Sequence, residues 1–319
     1  MRVAALISAV VVLAGCSPTS AHPSRPAEAG QVSPASTAVA RPTSSAPASG
    51  AAAAAAGGQT SRVQPSPSGR VSAPRYAADP PAGVTCRVPG SSSSTLACVI
   101  GYSVDGRPIE AVRQGAATAS HLLLVLGQMH GEEWPGPLVV DKIRALPVPA
   151  GLQVWTVRTM NPDGGAAGHR YNARGVDLNG NFPARWTRTT RSGFRALSEP
   201  EAAAMARLLT WLQPDLVISI HGFLSAVDTT GGGLRAARAR QFAAMVDVGP
   251  ARVVACSGPC HGNLTDWYTA TSHRAGVAFT LEMPAASTGI RPCHVPGYSG
   301  SRTVIDCVAH AAVAEGQRL

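Results

Sequence analysis

His130 and Glu133 stand three residues apart in Gly127-Gln128-Met129-His130-Gly131-Glu132-Glu133-Trp134, and two further groups, His221 and Glu282, close apolar runs later in the chain. An imidazole and a carboxylate at this spacing in a strand-end loop can face one ion. Catalytic zinc takes three protein ligands, commonly nitrogen and oxygen donors, and keeps the fourth position for water. His130 and Glu133 supply two donors. The third must come from elsewhere in the chain to the same edge, and His221 in Val217-Ile218-Ser219-Ile220-His221-Gly222 qualifies. Each group has a plainer reading by itself. A His-x-x-Glu pair arises by chance in many chains, and a histidine at a strand end is ordinarily a satisfied core group. Glu282, after Phe279-Thr280-Leu281, changes the balance, because an unpaired carboxylate at a buried strand end is costly unless something uses it.

Three apolar segments have to position these groups. His121 to Gly127 reads as a buried strand, with a helix following near Pro135 to Leu146. Leu152 to Arg158 is a second strand, ended by the turn signal Asn161-Pro162-Asp163-Gly164. Ser198 and Glu201 have capping-box spacing at the start of a helix that Ala202 to Leu212 continue. Asp215 to His221 and Val277 to Leu281 are further strands, with helices expected near Leu264 to Arg274 and from about Ser301 to Glu315. Strands alternating with helices imply an α/β domain of three layers, with a mixed, largely parallel central sheet. Such sheets place ligands at the carboxyl ends of their strands, the edge to which all four groups belong.

Further segments occur in a fixed order around these residues: Gly101-Tyr102-Ser103-Val104-Asp105-Gly106-Arg107-Pro108-Ile109, Asn161-Pro162-Asp163-Gly164, Arg170-Tyr171-Asn172-Ala173-Arg174-Gly175-Val176-Asp177-Leu178-Asn179, Ser198-Glu199-Pro200-Glu201 and Leu281-Glu282-Met283-Pro284. With the His130–Glu133 and Ser219–His221 segments, this series resembles the zinc carboxypeptidase family, specifically its bacterial branch that includes murein peptide amidases. The resemblance implies one zinc ion on His130, Glu133 and His221. It also implies Glu282 as the general base that takes a proton from the attacking water and returns it to the leaving amine. Arg170 matches the arginine that stabilises the oxyanion, and Arg174 is a nearby competitor for that role. Asn179 matches the asparagine that binds the substrate's terminal carboxylate.

One departure is informative. Asn179-Gly180-Asn181-Phe182 stands where the family usually has Asn-Arg-Asn-Phe, so the carboxylate-binding guanidinium is missing at Gly180. Arg174 or Arg291 are candidates to supply that charge, or the substrate presents a different group there. No tyrosine falls between Arg252 and Thr265, where the family usually carries a mobile one; Tyr268 and Tyr298 are the available substitutes. Asp266-Trp267 resembles the Asp-Trp near the specificity pocket of some members, which would bring Thr265 close to the bound side chain.

The rest of the chain speaks to location. Residues 1–16, MRVAALISAVVVLAGC, have the pattern of a signal peptide, too short to span a bilayer stably. Leu13-Ala14-Gly15-Cys16 resembles a bacterial lipobox with Cys16 as the lipidated residue; ordinary cleavage beside an incidental cysteine is the alternative. From residue 17 to about 82 Ala, Pro, Ser, Thr and Gly dominate, a composition unable to bury a core and suited to a tether. The peptidase domain is expected over 83–319. Setting Cys16 aside leaves Cys86, Cys98, Cys256, Cys260, Cys293 and Cys307, an even set consistent with export and disulfides. A structural zinc built from these cysteines lacks the usual Cys-x-x-Cys pair.

A net charge of +9 raises the question of nucleic acid, but the arginines are scattered and no Lys/Arg run occurs, so no nucleic-acid partner is expected. A basic surface facing anionic envelope polymers is the simpler account. The combined expectation is a lipid-anchored envelope metallopeptidase on the outer face of a bacterial membrane, acting on peptidoglycan stem peptides. A general peptide carboxypeptidase and a non-catalytic envelope-peptide binder are the alternatives.

Overall fold

The strands that carry the candidate site are apolar on both faces because both faces are covered. The computed structural model describes residues 79–90, 94–251 and 260–319. The leader expected over 1–16, most of the tether expected over 17–82, and Cys256 lie outside the described residues. Among the described residues, no helix is long and apolar enough to cross a membrane.

Four parallel strands form the centre of the sheet: β4 (His121–Leu126), β5 (Leu152–Val157), β6 (Leu216–Gly222) and β9 (Val277–Met283), in the order β5-β4-β6-β9. Outside β5 lie three antiparallel strands, β3 (Pro108–Gln114), β2 (Thr95–Tyr102) and β1 (Thr85–Arg87). Outside β9 lies β7 (Ala226–Asp228), antiparallel to it, followed by β8 (Gly249–Ala251). The sheet is thus mixed, and its parallel character is concentrated where the site sits. A separate hairpin pairs β10 (Ile290–Val295) with β11 (Tyr298–Thr303).

Alternate residues of the central strands face opposite layers. Leu123, Val125, Leu216, Ile218, Ile220, Phe279 and Leu281 pack against α1 (Pro135–Ala145), α4 (Gly233–Val246) and α6 (Val304–Gln317). Leu122, Leu124, Leu126, Val217 and Ala278 pack on the other side with residues of α3 (Pro200–Leu212) and α5 (Leu264–Thr271). This is the three-layer α/β/α arrangement expected. His221 and Glu282 have the parity of Val217 and Ala278, so both leave the sheet on the α3/α5 side.

Several local expectations need correction. Ser198 does not cap α3: the helix starts at Pro200 with Glu199 in the N-cap position, and Ser198 Oγ instead bonds the Glu199 carboxylate. Glu201 turns away to accept the Val104 amide and an Asn172 side-chain hydrogen bond, so long-range partners displaced the local box. Asn161-Pro162-Asp163-Gly164 is more than a turn. Pro162–Ala167 forms a short helix, α2, capped by Asn161 Oδ1 on the Gly164 amide. The terminal helix begins at Val304 because the preceding residues pair in β11, and Thr303 caps it. The sequence reading did not separate β1–β3, β7, β8, the β10–β11 hairpin or α4.

Two disulfides join pairs of described residues, Cys86–Cys98 and Cys293–Cys307. Cys86 and Cys98 face each other across the β1–β2 pair, and Cys293 and Cys307 tie the hairpin to α6.

The first helix turn of α1 presses on the start of the metal loop. A β-carbon placed on Gly136 would lie 1.4 Å from the Gly127 carbonyl oxygen, so only glycine lets α1 approach that closely. Gly136→Ala must push the helix off the loop that carries His130 and Glu133. The expected outcome is a loss of about 3 kcal/mol or more of unfolding free energy, at the upper end of overpacking costs. Urea denaturation measures it, and zinc content should fall with it.

Candidate metal centre

His130 lies four residues beyond β4, in the loop held between β4 and α1, and Glu133 follows one turn later, its amide bonded to the His130 carbonyl. His221 and Glu282 are direct partners in the parallel β6–β9 register, so their side chains emerge side by side. The three expected ligands are brought together: His130, Glu133 and His221 are buried, with donor atoms within 4.8 Å of one another. His130 Nδ1 is 2.8 Å from Glu133 Oε1 and 3.2 Å from His221 Nδ1, and His221 Nδ1 is 3.2 Å from Glu133 Oε2.

These contacts fit a zinc ion. Two imidazole nitrogens point at each other in a buried place, where two lone pairs would repel unless a proton or a cation lies between them. Glu133 Oε2 is buried with no hydrogen-bond partner. Tetrahedral zinc with bonds of 2.0–2.2 Å sets neighbouring ligand atoms about 3.3–3.5 Å apart, close to the separations here.

Each histidine offers Nδ1 to the centre because its other nitrogen is held. His130 Nε2 contacts Asp177 Oδ1 at 3.1 Å, and His221 Nε2 contacts Ser219 Oγ at 3.0 Å. Such outer partners fix tautomer and ring orientation in metal sites. Neither Asp177 nor Ser219 was assigned a role from the sequence; the signal was weak but present, an acid in the Arg170–Asn179 segment and a hydroxyl two residues before His221 on the same face of β6.

Arg170 also leans on Asp177, donating from Nε to Oδ2 at 2.9 Å, with Nη1 at 3.9–4.0 Å from Glu132 and Glu133. It therefore lies beside the metal group with its guanidinium partly exposed. Asn161, read from the sequence only as part of a turn signal, is a third residue whose role was missed. Fully buried, it donates to both the Met129 and the Arg170 carbonyls, clamping the metal loop to the arginine loop.

Glu282 is buried, and its carboxyl forms no hydrogen bond to a described residue. Burial pushes its pKa up; His221 opposes the rise, while the Glu133 carboxylate adds to it. A carboxyl so placed can hold a proton more readily than an exposed one.

Asn179 lines a cavity of about 220 Å³ together with Arg170, Asp177, Gly180 and Arg191. Arg174 does not line it; its guanidinium sits 3.5 Å from the Glu199 carboxylate. Arg291 belongs to the β10–β11 hairpin, opposite Arg302. Neither proposed tyrosine reaches the site. Tyr268 is buried with its hydroxyl on the Pro214 carbonyl, and Tyr298 stacks on His310. Thr265 and Asp266 hold the buried Arg235 guanidinium.

The fold is carboxypeptidase-like, with a His-Glu-His group that could hold a metal ion near the carboxyl ends of its central strands. Residues 150–232 match the family model described as zinc carboxypeptidase. The fold matches the crystal structures of carboxypeptidase A from Helicoverpa armigera (TM-score 0.55, 20% identity, covering 70% of this chain and 68% of that one) and of bovine thrombin-activatable fibrinolysis inhibitor bound to tick carboxypeptidase inhibitor (TM-score 0.53, 16% identity, 71% and 92%). More particularly, the chain is similar to murein peptide amidase A of Escherichia coli K12, at 31% identity over 145 residues. That match covers 40% of this chain and 60% of the relative's length.

Zinc uptake has a definite pH signature. In the metal-free site burial pulls the His130 pKa down, but hydrogen bonds and charge from Asp177 and Glu133 outweigh it and raise the value to about 9. Burial raises Glu133, but the two histidines outweigh that and bring it to about 2. The raised His130 stabilises the metal-free fold fully below its ordinary 6.5 and loses that contribution as pH climbs through 9. The depressed Glu133 contributes above 4.5 and loses its share as pH falls through 2. Zinc needs the neutral imidazole, so it must displace the His130 proton. Apparent zinc affinity should rise about tenfold per pH unit between roughly 7 and 9, with release of about one proton per ion. Chelator competition across that range checks the slope; a flat profile contradicts it.

Proposed function

We propose that this chain is a zinc metallopeptidase that hydrolyses an amide bond in murein peptides. The observation that carries the reading is the buried His130–Glu133–His221 group with Glu282 beside it on the neighbouring strand. The similarity to murein peptide amidase A supports the substrate class, although the chain spans only 60% of that relative's length.

His130, Glu133 and His221 would hold the ion. Bound zinc supplies a Lewis acid for the scissile carbonyl and lowers the pKa of water. Glu282 accepts the proton of the attacking water, keeps it in a site where burial favours the neutral carboxyl, and delivers it to the leaving amine. Arg170, oriented by Asp177, donates toward the negative charge that develops on the carbonyl oxygen. Asn179 holds the leaving residue from the cavity wall.

The reading extends to location. The leader pattern and Cys16 support an exported lipoprotein at the outer face of a bacterial membrane, with residues 17–82 as the tether that lets the domain reach the wall. Cys16→Ala should then move the protein from the membrane pellet to the soluble fraction; unchanged sedimentation argues against the anchor.

Mass spectrometry of muropeptides treated with the zinc-loaded full chain tests the activity. Release of diaminopimelate or another terminal residue is expected, and Glu282→Gln should lower kcat by about 10²–10⁴-fold while zinc content is unchanged. Zinc-loaded protein that releases nothing, or a Gln variant at the wild-type rate, contradicts the proposal.

A further inference from the structure

The cavity beside the metal group is lined by Arg170, Asp177, Asn179, Gly180 and Arg191, with Thr187, Thr189, Ser192 and His261 among the rest of its wall. Nothing in the backbone demands glycine at position 180. It is not among the glycines with positive φ, and a β-carbon there would meet only Ser192 at 3.8 Å, an ordinary contact. The missing side chain therefore leaves room in the cavity without serving the fold.

Arg170 and Arg191 are the arginines that line the cavity, whereas Arg188 and Arg195, which like Arg191 lack a carboxylate partner among the described residues, do not. Residues 168–198 contain six arginines and one acidic residue, Asp177. Arg170 is paired with Asp177, Arg174 with Glu199 and Arg185 with Asp266. Arg191 forms no ion pair with any described carboxylate. Its Nη1 donates to the neutral Gly175 carbonyl at 3.1 Å, and its guanidinium lies over the Tyr171 ring, 4.5 Å from the centroid. Gly175 accommodates this pose: at φ +74 it suits glycine, and a β-carbon there would come within 3.0 Å of Nη1. Stacking and one hydrogen bond preorganise the guanidinium and leave Nε and Nη2 unengaged by described residues, so little further ordering is needed on binding. Asn179 lines the same cavity; its Oδ1 accepts from the Leu264 amide at 3.3 Å, which leaves its Nδ2 as a second donor.

We propose that Arg191 determines specificity by binding a carboxylate on the leaving part of the substrate, in the space that Gly180 leaves open. Guanidinium is the donor geometry for such a group, giving two parallel charge-assisted hydrogen bonds. The inference rests on the metallopeptidase reading for the identity of the substrate, but recognition itself is measured without turnover.

The full chain carrying Glu282→Gln, zinc-loaded, is titrated calorimetrically with a murein tripeptide ending in a free carboxylate and with the same peptide as its C-terminal amide. Adding Arg191→Ala should weaken the acid at least tenfold and leave the amide within about twofold. Arg191→Lys should retain part of the preference, and Gly180→Arg added to Arg191→Ala should restore it by returning a guanidinium to the cavity. Equal binding of acid and amide by the parent, no measurable binding of either, or an equal loss on both when Arg191 is removed overturns the inference; a thermal melt excludes unfolding as the cause. If the acid binds through Arg191 but the wild-type chain does not cleave it, the hydrolytic reading fails and the recognition role stands.

Discussion

Asp177 accepts from two sides with one carboxylate: Oδ1 holds His130 Nε2, and Oδ2 holds Arg170 Nε. A ligand of the metal group and the cation beside it are thereby oriented by a single acid, itself held well below the usual carboxylate range by those partners although burial opposes it. Asp177 also accepts from the Asn179 amide, so the cavity wall is referenced to the same point. The candidate metal group, the arginine and the cavity wall share one electrostatic anchor. Without it, His130 could rotate and Arg170 would lose its one side-chain hydrogen bond to the described residues.

The scaffold makes that anchor effective by being rigid where it matters. Parallel pairing of β6 with β9 sets His221 against Glu282, and the parity that buries Val217 and Ala278 sends both to the same layer. The loops between strands and helices are then locked by close approaches that exclude side chains. Gly131 has no room for a β-carbon against Gly164, whose carbonyl carbon would lie 2.0 Å away. Asn161 completes the lock from underneath, bonding the metal loop and the arginine loop at once. Buried polar groups of this kind are affordable only when every donor is satisfied, which ties the precision of the site to the integrity of the loops.

Long apolar strands were legible in the sequence because burial on both faces removes polar residues from them, whereas their order in the sheet came only from the fold. The antiparallel flanks, α4 and the late hairpin were not, since half-exposed short strands and an arginine-rich helix carry mixed patterns that any surface segment can show. The Ser198–Glu201 cap was misleading for a related reason. Both side chains fit a local motif, yet Glu201 is fully buried and satisfied by Val104 and Asn172 from far away in the chain. Tertiary burial outweighed a local hydrogen bond that water could have replaced.

Residue chemistry at the ends of apolar runs was sufficient, from sequence by itself, to nominate His130, Glu133, His221 and Glu282, because carboxylates and imidazoles in such positions need a partner. It was also sufficient to notice that Gly180 lacks a guanidinium. Which arginine beside that gap is left without a carboxylate partner among the described residues was decided only in three dimensions. Arg174 and Arg170 are neutralised by Glu199 and Asp177, whereas Arg191, eleven positions beyond Gly180, is stacked on Tyr171 beside the cavity. Composition lists charges, but Coulomb energy depends on separation and burial, so only the folded chain determines which charges are spent on one another and which remain to meet a ligand.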